Sequence, residues 1–164
     1  MREKLTPSRG SHLPVLITLL ADTTGPVLEL GCGAFSSPFL HWACFGKRPL
    51  VTVEGSPEWW PWIQRYQAPW HTIICTEDWE RVDLSRVWSV AFVDHSPNER
   101  RYLDILRLTH AEYVVAHDAE NSQGGKYQYA KVHPSFKYRT KYTAAPGPFT
   151  AVFSNLHDVR GLVI

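Results

Sequence analysis

The chain has 164 residues, with 44% apolar and 20% charged side chains and a formal net charge of +1. That composition belongs to one globular domain over residues 1–164 and excludes a disordered chain. The near-neutral balance excludes binding to nucleic acid or a membrane through overall charge alone, and the three cysteines, Cys32, Cys44 and Cys75, show neither zinc-ligand spacing nor a disulfide framework.

Residues 1–14 read as an arm or lid, with Ser11-His12 just before the first helix. The apolar run Leu13–Ala21 is shorter than the about 20 residues needed to span a bilayer. Asp22-Thr23-Thr24-Gly25 follows it rather than a small-residue cleavage site, so it reads as a helix on a cytoplasmic domain. Pro26–Leu30 is a first strand, ended by Gly31 and Gly33. A helix over Ser37–Phe45 follows, with Ser36 or Ser37 as its N-cap. Pro49–Val53 is a second strand, ended by Glu54-Gly55-Ser56, and Ser56 caps a helix over Pro57–Tyr66. Trp59, Trp60 and Trp62 in that helix read as core or pocket wall. His71–Cys75 is a third strand, Glu77–Leu84 a short helix and Trp88–Val93 a fourth strand. Ser96 and Pro97 start a helix that runs to His110, and Glu112–Ala116 is a fifth strand. Gly124–Ser135 resists assignment. Phe136–Tyr142 alternates with a period of two, the pattern of a half-buried strand. Pro146-Gly147-Pro148 makes a turn into a last strand, Phe149–Ser154.

Strands alternating with helices demand a parallel sheet covered on both faces, and the near-continuous apolar runs agree. The last two strands, joined by a turn, pair antiparallel.

Ligands of such sheets bind outside the carboxyl ends of the strands. Those ends read Glu29-Leu30-Gly31-Cys32-Gly33, Glu54-Gly55-Ser56, Thr76-Glu77-Asp78-Trp79, Asp94-His95-Ser96-Pro97 and His117-Asp118-Ala119-Glu120. Each carries a carboxylate. The glycines let a ligand approach the main chain, and the next helix presents free N–H groups. Glu54 is placed to accept both hydroxyls of an adenosine ribose, in NAD and S-adenosylmethionine alike. Two features separate these cofactors. Glu29 suits a cationic ammonium and faces a pyrophosphate badly. Ser36 stands where a dinucleotide fold has its third glycine.

Val27-Leu28-Glu29-Leu30-Gly31-Cys32-Gly33 resembles motif I of class I S-adenosylmethionine-dependent methyltransferases, and the likeness extends over roughly Leu13–Ser154. The resemblance implies a Rossmann-like three-layer α/β/α sandwich, whose mostly parallel seven-stranded sheet has an antiparallel last strand. It implies methyl transfer with S-adenosyl-L-methionine as cofactor. By the same resemblance Glu29, Gly31 and Gly33, with Cys32 between them, border the methionine part. Glu54, with Gly55 and Ser56 beside it, holds the ribose, Asp78 and Trp79 hold the adenine, and Asp94 faces the methyl group. The chain departs from the family in lacking a third glycine and an inserted domain over the substrate.

For the acceptor, His95 and His117 are candidate bases, each beside a carboxylate. Asp94 and Asp118 resemble the pair that binds a divalent cation in some small-molecule O-methyltransferases of this fold, with Glu120 or Asn121 as a further oxygen ligand. The third oxygen is not clearly supplied, which favours a metal-free reaction with His117 as base. Asp94-His95-Ser96-Pro97 departs from the Asn/Asp-Pro-Pro-aromatic pattern of nucleobase amino-group methyltransferases, and a small-molecule acceptor is expected. Residues 122–148 have no acid, five basic residues (Lys126, Lys131, Lys137, Arg139 and Lys141) and four tyrosines. They read either as an RNA contact or as the solvated face of the sixth strand. The rival functions are a nicotinamide oxidoreductase and a non-catalytic member of the fold.

Overall fold

Seven strands form one sheet in the order β3-β2-β1-β4-β5-β7-β6. They are β1 (Val27–Leu30), β2 (Leu50–Glu54), β3 (His71–Cys75), β4 (Val90–Val93), β5 (Tyr113–Ala116), β6 (Tyr138–Tyr142) and β7 (Thr150–Ser154). The computed structural model describes residues 6–120, 124–144, 147–162 and 164. Asn121 and Pro146 fall outside them. β1 to β5 are parallel, and β7 runs antiparallel to both of its neighbours, β5 and β6. β7 is therefore the reversed strand. The order turns back between β1 and β4, so the crevice at a switch point opens over the end of β1. The register pairs Leu30 with both Val53 and Val93, which brings Gly31, Glu54 and Asp94 to one level of the sheet edge.

The alternation of side chains along β1 divides the core in two. Val27 packs with α1 (Leu13–Asp22) and α2 (Ser36–Cys44) through Leu16, Leu19 and Leu40. Leu28 and Leu30 pack on the other face with Trp79, Ile105 and Leu108. The central strands β1 and β4 are buried along their whole length, which explains apolar runs without alternation.

The helical segments after β2, β3 and β4 are shorter than their patterns predict. The expected helix over Pro57–Tyr66 is α3 (Trp60–Ile63) followed by a 3-10 turn, Gln64–Tyr66. Pro61 is the reason: proline fits only the first turn, so the α-helix starts at Trp60. The expected short helix after β3 is a 3-10 turn, Trp79–Arg81. The helix after β4 begins as a 3-10 turn, Asn98–Arg100, and continues as α4 (Arg101–Arg107). The unassigned stretch holds α5 (Gly124–Tyr127) and 3-10 turns at Tyr129–Lys131 and His133–Ser135. No helix among the described residues is long and apolar enough to cross a membrane.

Candidate cofactor and acceptor site

The loop after β1 is fixed from below. Gly31 has φ +89°, and a Cβ there would lie 2.5 Å from the Cα of His95. Only glycine meets both conditions. Ser37 Oγ accepts from the Gly33 amide at 3.0 Å and donates to the Glu29 carboxylate at 2.9–3.0 Å. Thr52 Oγ1 donates to Glu29 Oε2 at 2.7 Å. With its proton directed there, Thr52 accepts from His71 Nε2 at 2.8 Å. Burial brings the His71 pKa down to about 4, so the ring is neutral and its Nδ1 accepts from His41 Nδ1 at 3.0 Å. Glu29 is fully buried, and burial raises its pKa to about 7. It supports the loop through Ser37 and does not line the cavity beside it.

Glu54 ties two loops together. Its Oε2 accepts from the Cys32 amide at 2.7 Å and its Oε1 from the Ser56 amide at 2.6 Å. Each oxygen keeps a lone pair for a ligand hydroxyl. Trp79 lies beside it and is 6% exposed. A Cβ on Gly55 would stand 2.7 Å from the indole Nε1, and the Trp79 ring centre is 4.2 Å from that of His95. Asp78, expected beside the adenine, pairs instead with Arg81 at 3.1 Å on the surface.

The ends of β4 and β5 meet around Arg101. Its Nη2 lies 2.9 Å from Asp94 Oδ1, its Nη1 lies 3.0 Å from Asp118 Oδ2, and its Nε donates to His95 O at 2.7 Å. The guanidinium is buried and stacks on Tyr127 with its carbon 4.5 Å from the ring centre. Asp118 has φ 58°, a left-handed conformation that costs a non-glycine residue about 1 kcal/mol. Its bond to Arg101 helps to hold it there.

His117 lies between Asp94 and the N-terminal arm. Ser11 Oγ donates to Pro148 O at 2.6 Å, so it accepts from His117 Nε2 at 3.1 Å. His117 Nδ1 faces Asp94 Oδ2 at 3.2 Å. Both neighbours accept, so His117 carries both ring protons. Burial opposes that charge, but the hydrogen bond and charge of Asp94 outweigh it and raise the His117 pKa. His12 is buried edge-on against His117, their ring centres 4.7 Å apart, and neither of its nitrogens has a hydrogen-bond partner among the described residues. Burial and the neighbouring His117 lower the His12 pKa to about 3.

These groups surround a cavity of about 320 Å³. Cys32–Ser36 form one wall, Asp94, His117 and Asp118 a second, and Thr6, Ser8, Arg9 and His12 of the arm a third. His95, considered as a base, is turned away. Its Nε2 bonds to buried Asp104 at 2.9 Å, because that carboxylate is held below the crevice by Arg100 and Arg107.

The candidate metal ligands Asp94, His117 and Asp118 bring their donor atoms within 4.8 Å of one another. They do not fit a divalent cation. The guanidinium of Arg101 already bridges the carboxylates, and His117 has no lone pair to offer. Glu120 is turned to the Phe149 amide at 2.7 Å. Arg101 itself escaped sequence reasoning. It is one of two consecutive arginines in a charged stretch, and nothing in that pattern distinguishes it from its neighbour, which serves Asp104.

No family model and no curated protein matches the sequence. Solved structures do. A putative O-methyltransferase from Klebsiella pneumoniae superposes with a TM-score of 0.66 at 14% identity, over 94% of this chain and 83% of that one. The N-terminal domain of human METTL16, crystallised with SAH, gives 0.67 at 10% identity over 96% and 73%. The N-methyltransferase NodS from Bradyrhizobium japonicum WM9 gives 0.59 at 13% identity over 89% and 94%. At these identities the likeness is one of architecture, and this chain has the fold of the class I S-adenosylmethionine-dependent methyltransferases.

Proposed function

We propose that this chain is an S-adenosylmethionine-dependent methyltransferase that acts on a small-molecule acceptor without a metal ion. The observation that carries the reading is the position of the cavity. It lies at the switch point of the sheet, between the glycine loop and the wall of Asp94, His117 and Asp118.

S-adenosylmethionine supplies a methyl group made electrophilic by its sulfonium. Cys32–Ser36 and the start of α2 take its amino-acid end, where the helix N-terminus favours a carboxylate. Glu54 takes the ribose hydroxyls with the lone pairs left by the Cys32 and Ser56 amides. Asp94 and His117 face the acceptor, and Arg101 fixes Asp94 and Asp118 in place. His117 acts as base only after losing one of its own protons, so acceptor deprotonation strengthens as pH rises through its raised pKa.

The cavity volume favours a small acceptor, because about 320 Å³ is near the lower end for ligand sites and has to be shared with the methionine part. None of the five basic residues of the strip lines it. β6 is the edge strand, and Lys131 and Lys137 lie over the rings of Tyr102 and Tyr138 at 4.6 and 4.9 Å.

Saturation-transfer NMR with S-adenosylmethionine, S-adenosylhomocysteine and NAD tests the cofactor, since it detects weak binding. Signals from the first two, mutually competitive and unaffected by NAD, are expected. A signal from NAD alone rejects the reading.

A further inference from the structure

We infer that the indole of Trp79 occupies the nucleobase half of the cofactor crevice and has to swing out before an adenosyl group can seat, so that Trp79 sets cofactor affinity. The inference rests on the reading of Glu54 as the ribose holder.

A base attached to a ribose on Glu54 must continue over Gly55, the next residue of the chain. That space is filled. The indole lies so close to Gly55 that a Cβ there would meet three of its ring atoms at 2.7–2.9 Å. The cavity wall reflects this, for it reaches Cys32 and Trp59 but includes neither Glu54 nor Trp79. The open volume therefore serves the methionine and acceptor half alone.

The occupant has the outline of a purine, a flat six-membered ring fused to a five-membered one. It lacks a purine's ring acceptors and exocyclic amino group, and one neighbour registers the difference. His95 is neutral, since burial lowers its pKa, and its Nε2–H serves Asp104. Its Nδ1 is left as a lone pair, buried and without a hydrogen-bond partner among the described residues. An unpaired buried acceptor is unfavourable. A purine amino group in place of the indole supplies the donor that this environment lacks.

Trp79 is held at its backbone, where its carbonyl accepts from Arg107 Nη1 at 3.0 Å. No side-chain hydrogen bond of its indole is seen among the described residues, so rotation about the side-chain torsions releases it without unpicking the turn Trp79–Arg81. A closed conformer that excludes the ligand weakens apparent binding by the fraction of open molecules.

The test uses the whole chain labelled with 5-fluorotryptophan, giving seven fluorine resonances, with that of Trp79 assigned by Trp79→Phe. S-adenosylhomocysteine and adenosine are expected to move the Trp79 resonance and give it a solvent isotope shift, whereas free methionine leaves it in place. Calorimetry is expected to show Trp79→Ala binding S-adenosylhomocysteine at least about tenfold more tightly than the wild type. Trp79→Phe keeps a buried ring and decides the affinity question if the alanine variant does not fold. Wild-type binding with an unmoved Trp79 resonance and no gain on truncation overturns the inference and leaves the cofactor reading intact. Absence of binding by the wild type and by the folded variants overturns both.

Discussion

His117 donates both of its ring protons, one of them to Asp94 across 3.2 Å. The arrangement makes the Asp94–His117 pair an ion pair in the resting site. Its folded pKa is raised above the unfolded value of 6.5, so the stabilisation it contributes is complete below 6.5 and is lost as pH rises through the folded value. Histidine NMR should show both nitrogens protonated at pH 6.5 and a midpoint above it. Asp94→Asn should lower that midpoint. A wild-type midpoint under 6.5 contradicts the assignment.

Arg101 supplies the positive charge that a metal would otherwise bring. Removing it by Arg101→Met leaves Asp118 without its guanidinium and Asp94 with His117 alone in a mostly buried site, and a loss of about 3 kcal/mol is expected in urea unfolding. Chelator and millimolar Mg²⁺ should leave the wild-type melting temperature and the Asp94 and Asp118 side-chain signals unchanged. A Mg²⁺-dependent shift of both carboxyl signals would return the metal to the site.

Glu29 contributes a sensitivity to base. Its pKa is raised from 4.5 to about 7, so between these values the native state holds a proton that the unfolded state has released. Stability accordingly falls as pH rises through this window and is fully reduced above it, by on the order of 3 kcal/mol. Glu29→Gln should remove this slope. Its altered hydrogen bonds to Ser37 and Thr52 add only a constant offset. Denaturation at pH 5, 6, 7 and 8 measures it, and parallel profiles for the two proteins contradict it.

Gly31→Ala places a Cβ against the backbone of His95 in a left-handed conformation. A loss of about 3 kcal/mol or more is expected from strain and clash together. Chemical denaturation reads it directly, and a change under 1 kcal/mol would mean that the β1–β4 edge yields easily.

β1, β2, β4 and β5 were legible because they are buried on both faces or nearly so, and such runs stand out against polar turns; β3 is an edge strand with Thr72 and Ile74 exposed. All seven lie within two residues of their sequence patterns at either end. The chemistry at their ends was legible only as a set of positions. Ser37 looked like a helix cap, yet Phe35 holds the N-cap place and the Ser37 hydroxyl serves Glu29 instead. Glu54 looked like a carboxylate free in a crevice, yet it accepts from two backbone amides, so Glu54→Ala should loosen both loops as well as weaken ribose binding. Trp79, which the resemblance makes a holder of the adenine, has its indole packed against Gly55. In each case the direction of a side chain depends on partners brought in by the tertiary fold. Arg100 and Arg101 show this most plainly: adjacent in sequence, they serve different carboxylates on opposite sides of His95.

Ser11 bonds at once to His117 and to the carbonyl of Pro148, joining positions 137 residues apart in the chain. The second anchor of the N-terminal arm is therefore made late in synthesis, with Pro148. A nascent chain that has passed β5 already holds the glycine loop, Glu54, both aspartates and His117, but its N-terminal arm lacks the Pro148 carbonyl as its second anchor. Until the segment before β7 emerges, the cavity wall formed by Thr6, Ser8, Arg9 and His12 is held from one side only.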